Sequence, residues 1–174
     1  MSDANISTVQ SSTEWPLRRA VEAFREKLKH TDPSTLAALR RAAGSDAPPP
    51  AFYRFAGGVL EEIYERLPDQ GDWRDDFDAR WSIVVSAMAN AKDFLGHLPL
   101  GQALAEANVA ELRVLRLLEA EGAQLPNLVR TMVHQLVQRG QPFDPIHLAW
   151  LVLEPDNDEP RRRIARDYYR YQKP

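Results

Sequence analysis

The residues that could do chemistry in this chain are mostly arginines. Of its 22 basic residues, 18 are Arg, and the guanidinium fork matches phosphate oxygens in a way that a lysine ammonium does not. Their spacing is suggestive. Arg40 and Arg41 stand together before the proline-rich segment SDAPPP, Arg54 follows it, Arg113 and Arg116 lie three apart, and Arg130 and Arg139 lie nine apart. Residues three or four apart share a helix face, so Arg113 and Arg116 can reach neighbouring phosphates of one strand. The same arginines can instead solvate a helix or pair with carboxylates, Glu119 being placed to hold Arg116. A GC-rich genome gives the same preference for Arg.

The second candidate is the acidic run Asp69, Asp72, Asp75, Asp76 and Asp78. Clustered carboxylates can chelate magnesium beside a pyrophosphate, as in helical prenyl-transfer enzymes. Such a site needs a second acidic cluster and a deep apolar cavity, and nothing downstream supplies the cluster. The alternative is that these acids cap and open a helix, where negative charge suits the positive end of its dipole. His30, His97, His134 and His147 share no i,i+4 metal spacing, and His134 is expected to be half-buried and hydrogen-bonded. No GxSxG, Walker loop, GxGxxG or HExxH motif occurs, and Gly57-Gly58 reads as a close-packing pair inside a helix. The residues predict a protein that is not an enzyme and uses no cofactor and no metal.

The elements that would position these groups are helical. Trp15, Leu17, Val21, Phe24 and Leu28 form an apolar stripe at three- and four-residue steps, which predicts a first helix beginning after Thr13. Residues 1–12 are small and polar and read as a disordered tail. Asp32-Pro33 is an N-cap and first helical position, with Gly44 as the stop. Phe52, Phe55, Val59, Ile63 and Leu67 mark a third helix, and Phe77, Trp81, Val84, Val85 and Met88 a long fourth one from about Asp75 to Leu95. Phe52, Phe55 and Trp81 belong to the core, and Tyr53 is undecided. PLGQALAEAN is a short helix. Asn108 with Glu111 resembles a capping box opening a helix that buries Leu112, Leu115 and Leu118. Val129, Met132, Val133 and Leu136 form the next buried face, closed by Gly140. Asp144-Pro145 opens a helix with Trp150, and Asp158 with Pro160 opens the arginine-rich last one. No stretch alternates with period two and nothing repeats. The fold class expected is all-α, a bundle of about eight helices over residues 13–174, either one domain or two small subdomains divided near residue 96.

Composition limits the function. The chain has 174 residues, 44% hydrophobic and 27% charged, and no cysteine. It can bury a core, and it has no disulfide or thiolate chemistry. No apolar run approaches the roughly 20 residues of a membrane helix, and the N-terminus has no signal-peptide plan, so a soluble cytoplasmic protein is expected. The formal charge of −3 excludes a generally basic nucleic-acid coat. Charge is nonetheless uneven: residues 160–174 carry six basic groups and one acid, while residues 49–95 carry five and nine.

The order of segments carries more than any one of them. LAALRRA, then PAFYRF, LGQALAEAN, ELRVLRLLEAE, LVRTMVHQL and a tryptophan-bearing helix together resemble the small helical subunit of Cascade, the RNA-guided surveillance complex of type I-E CRISPR systems (the CasB family). The likeness spans residues 14–171. The acidic segment 69–78 matches no motif of that family. The resemblance implies a non-catalytic all-α subunit. It would be present in two copies beside the backbone subunits, which hold the CRISPR RNA, and the large subunit, which reads the PAM. Its role would be to steady the R-loop by holding the guide–target heteroduplex and the displaced DNA strand. Carried onto this chain, the resemblance assigns Arg40 and Arg41 to the LRR pair, Arg54 to PAFYR, Arg113 and Arg116 to the following basic motif and Arg130 to the next. Arg139 and the terminal arginines 161–163, 166 and 170 are candidates by charge. The competing reading is a helical protein–protein scaffold whose arginines dock acidic partners.

Overall fold

The computed structural model describes residues 6–42, 47–65 and 73–174. Gly44, Leu67, Asp69, Asp72 and the Trp15 side chain lie outside the described residues. Among these residues the chain is all-α, as expected, with nine helices: α1 (Ile6–Lys29), α2 (Pro33–Arg41), α3 (Pro50–Tyr64), α4 (Trp73–Asn90), α5 (Leu100–Glu106), α6 (Glu111–Leu118), α7 (Gln124–Gln138), α8 (Ile146–Leu153) and α9 (Asp158–Tyr171). A short 3-10 turn occupies Lys92–Phe94, and an isolated parallel bridge joins Leu95 to Phe143.

Helix ends follow the local chemistry. Asp32 Oδ1 accepts the Thr35 N–H at 2.9 Å with Pro33 in the first turn, and Asp144 Oδ1 accepts the Ile146 N–H at 3.0 Å; each satisfies a donor that the first turn leaves unpaired. The last helix is capped one residue earlier than the sequence suggests, by Asn157, whose Oδ1 accepts the Glu159 N–H at 3.0 Å. Gly140, at φ 63°, closes α7, and the Gln141 N–H returns to the Leu136 carbonyl at 2.9 Å in the manner of a left-handed helix stop.

Four further local expectations change. α1 begins at Ile6, not after Thr13; the apolar stripe marks where a helix is packed, and the helical backbone runs on upstream of it. Asn108 is no capping residue: it sits at φ 52°, its amide donates to the Glu106 carbonyl at 3.4 Å, and Ala110 precedes α6. The buried face of α6 is Val114, Leu117 and Leu118, with Leu112 61% exposed. Apolar residues fill positions 112, 114, 115, 117 and 118, so periodicity alone could not choose the phase. Gly57-Gly58 makes no close approach, since a Cβ at either would meet nothing within 4 Å. The close-packing glycine is Gly101, where a Cβ would lie 2.2 Å from the Ile164 carbonyl oxygen and 2.9 Å from the Tyr168 nitrogen.

The core assembles around aromatic contacts. Phe24 stacks on Phe55 at 5.7 Å and meets Trp81 edge-on at 5.4 Å, the offset and T-shaped geometries that ring quadrupoles favour. Phe52, Phe55 and Trp81 are buried as expected, and Tyr53 is exposed. α8 buries seven of its eight residues because it is apolar all round; it is held against α1, α4 and α9. Residues on both sides of position 96 share one hydrophobic cluster, from Leu17 to Tyr168. No described helix is long and apolar enough to cross a membrane.

Candidate nucleic-acid interface

The end of α2 is pinned to α4 through backbone polar groups. Arg40 Nε donates to the Ala89 carbonyl at 3.1 Å. The Arg40 carbonyl in turn accepts from Ser86 Oγ at 3.1 Å and from Asn90 Nδ2 at 3.3 Å. These bonds satisfy one of the carbonyls that a helix C-terminus leaves open. The neighbouring Arg41 is exposed and has no hydrogen bond or ion pair among the described residues.

Asn90 also lines a groove of about 370 Å³ between α4 and α7. Ile83, Ala87, Val129, Val133 and Val137 form its apolar surface, with Arg130 and His134 beside them. Arg130 Nη2 donates to Asn127 Oδ1 at 3.3 Å. Asn127 in turn lines a second depression, shared with Arg116, between α6 and α7. Arg113, three residues before Arg116, is exposed, and neither arginine forms a hydrogen bond or ion pair among the described residues. Glu119 lines the same depression but does not hold Arg116. A series of contacts and shared linings therefore connects Arg40, Asn90, Arg130, Asn127 and Arg116 across α2, α4, α7 and α6, with Arg41 next to Arg40 in the chain and Arg113 three residues before Arg116.

Other sequence candidates have different surroundings. Arg54 is exposed on α3 with no hydrogen bond or ion pair among the described residues. Arg139 Nη1 donates to the Ala107 carbonyl, tying α7 to the end of α5. Arg161 is a clamp: Nε donates to the Leu118 carbonyl at 2.7 Å, Nη2 to Ala120 at 3.4 Å, and Nη1 to the Pro155 and Asn157 carbonyls. Arg163 pairs with Glu159 at 3.0 Å and lies 5.2 Å from the Trp150 ring centre, a cation–π contact. Arg162 faces Asp158 at 3.8 Å, and Arg170 lies over Tyr171. Much of the terminal basic charge thus has a structural partner.

The histidines and acids also sort by contact. His134 is exposed at the groove, not half-buried and hydrogen-bonded; its helix face turns outward beside Arg130. Asp75 and Asp76 stand in the first turn of α4, the helix-opening placement, and Asp76 pairs with Arg80 at 2.7 Å. Asp78 accepts the Tyr64 hydroxyl. Burial pushes the Asp78 carboxyl above the ordinary carboxylate range against that hydrogen bond, and burial with the Asp78 charge raises the Tyr64 hydroxyl. No group of three or more His, Asp or Glu able to hold a metal forms among the described residues.

Sequence reasoning missed Asn90, Asn127 and the outward face of His134. Asn127 was legible in principle, standing one helical turn before Arg130. Asn90 was not, because its part depends on α2 packing on α4.

The chain matches the family model described as CRISPR-associated protein Cse2 over residues 35–169. Among solved structures it is similar to CasB from M. ruber, with 22% identity, a TM-score of 0.65, and 87% of this chain and 93% of that chain covered. A CRISPR-associated protein of the Cse2 family from Thermus thermophilus shares 27% identity at a TM-score of 0.63, covering 88% and 97% of the two chains. A chain in the crystal structure of E. coli Cascade bound to a PAM-containing dsDNA target shares 18% identity at a TM-score of 0.61, covering 86% and 94%. No curated protein matches the chain.

Proposed function

The chain belongs to the CRISPR-associated Cse2 family, and from that premise we propose that it is a non-catalytic subunit of an RNA-guided Cascade-type surveillance complex that steadies the R-loop. It does so by holding nucleic-acid backbone on the surface from α2 to α6. The observation that carries the reading is the linked series Arg40, Asn90, Arg130, Asn127 and Arg116, flanked in the chain by the exposed Arg41 and Arg113.

The physics fits a chain whose net charge is negative. Exchange of a DNA duplex for a guide–target heteroduplex is nearly balanced in base-pairing energy, so modest backbone contacts tip it. Such contacts need positive charge along one track, not over the whole surface. Among the described residues, Arg41, Arg113 and Arg116 have no hydrogen bond or ion pair to give up when a phosphate arrives. Arg40 and Arg130 are pre-oriented by Ala89 and Asn127, which lowers the ordering cost of binding. Arg54 extends the surface from α3, and Arg139 contributes by holding α7 in place. Partners in this reading are the complex's backbone and large subunits, a second copy of this chain, the CRISPR RNA and both target DNA strands; the site of action is the cytoplasm.

The exposed arginines of α6, Arg113 and Arg116, equally fit a second reading in which they dock an acidic face of a protein neighbour. Binding of the isolated chain to a short single-stranded oligonucleotide, measured across a salt series, separates the two. Weak binding that falls steeply with salt and ignores sequence supports the R-loop role. No binding at low salt leaves only the scaffold.

A further inference from the structure

We propose that the groove between α4 and α7 receives one unstacked nucleobase of a single strand, with the adjoining phosphate on Arg130. This rests on the reading of the chain as an R-loop subunit and adds to it a base contact that a backbone track does not require.

The groove has the two-part character of a nucleotide. Its apolar surface comes from Ile83 and Ala87 on α4 and from Val129, Val133 and Val137 on α7. Its volume of about 370 Å³ falls at the small end of pockets that enclose a small ligand, large enough for one ring system but not for a duplex. The polar groups converge from opposite helices. Asn90, on α4, spends its amide N–H groups on the Arg40 and Ser86 carbonyls, so its side-chain oxygen remains available as an acceptor for a base N–H. His134, on α7, is exposed and has no hydrogen bond or ion pair among the described residues, so its ring can lie against a base face. No carboxylate lines the groove, and the cation beside it is Arg130. An apolar floor, an amide oxygen, a free imidazole and a guanidinium suit a base and its phosphate. The carboxylates of an acidic peptide would use the arginine and leave the apolar surface unmatched. A base drawn out of the stack is held elsewhere by apolar and aromatic walls with hydrogen bonds to its edge.

The groove also lies where the proposed strand would pass. Asn90 adjoins Arg40 on one side, and Arg130 leads through Asn127 to Arg116 on the other. A strand held by those arginines therefore crosses its mouth.

The test compares, on the full chain, a short oligothymidylate with an abasic phosphodiester strand of the same length. The base-bearing strand is expected to bind at least about fivefold more tightly, the lower end for one base contact. It should also move the methyl NMR signals of Ile83, Val129, Val133 and Val137, which the abasic strand should leave in place. Ile83→Trp, which fills the groove, and His134→Ala, at an exposed position, should each reduce the preference; Ile83 also packs against the core, so the melting temperature is expected to stay unchanged for His134→Ala only. Equal binding of the two strands with unmoved methyl signals overturns the nucleobase site; if that binding still falls with salt, the backbone track stands without it. Methyl shifts produced by a neighbouring subunit and not by the oligonucleotide also overturn it, and make the groove a protein-docking site.

Discussion

Gly101 on α5 lies so close to Ile164 on α9 that an added Cβ would come within 2.2 Å of the Ile164 carbonyl oxygen. That oxygen belongs to a helix backbone and cannot swing aside as a side-chain tip could. The two helices therefore pack through a missing side chain, and the LGQALAE segment owes its glycine to this contact.

Gly101→Val is accordingly expected to force α5 and α9 apart. Overpacking of this kind costs typically 1–3 kcal/mol, which for a chain of this size lowers the melting temperature by roughly 3–10 °C. Gly57→Ala and Gly58→Ala, where a Cβ meets nothing within 4 Å, should hold or raise it, because alanine favours a helix interior by about 1 kcal/mol over glycine. Thermal melts of the three variants check both halves.

The arginine-rich C-terminus gives a second expectation. Arg161 donates to four backbone carbonyls, those of Leu118, Ala120, Pro155 and Asn157, which joins the end of α6 to the turn before α9. Arg161→Ala should destabilise the fold by about 2 kcal/mol, the scale of a charged hydrogen bond left unmade. Chemical denaturation should show that loss, while oligonucleotide affinity measured well below the melting transition stays unchanged.

Asp78 supplies a pH dependence. Burial raises its carboxyl pKa in the folded chain, so the folded state binds a proton more readily than the unfolded one. The resulting stabilisation is full below the ordinary carboxylate pKa and is lost as pH rises through the raised value. Asp78→Asn, which keeps an oxygen for the Tyr64 hydroxyl and carries no charge, should flatten that part of the stability–pH curve and raise the melting temperature at neutral pH. An unchanged curve would contradict the assignment.

What the sequence reveals and hides follows from which physical signal each feature needs. Helix starts at Asp32-Pro33 and Asp144-Pro145 were legible because a cap is a local event. The core residues Phe24, Phe52 and Trp81 were legible because their spacing fits one face. The phase of α6 was not, since leucine and valine wrap around more than half of that helix and only its packing on α7 and α9 chooses. Gly101 looks like any helical glycine until α9 is laid against it, whereas Gly57-Gly58, the more conspicuous pair, has open space. For the site, sequence supplied the arginines but not their sorting. Arg41, Arg113 and Arg116 make no hydrogen bond or ion pair among the described residues, whereas Arg139 and Arg161 hold carbonyls, and that division is a property of tertiary contacts.

The proposed role is to hold nucleic-acid backbone on this surface inside a surveillance complex. Its most direct test is the salt dependence of target-DNA binding by the complex assembled with guide RNA, comparing the unmodified chain with Arg113→Ala/Arg116→Ala. Removing two phosphate contacts should make the slope of log affinity against log salt shallower by about 1.5 and weaken binding at low salt. The melting temperature of the isolated chain should stay the same, because neither arginine has a hydrogen bond or ion pair among the described residues. An unchanged slope with full DNA affinity would contradict this role.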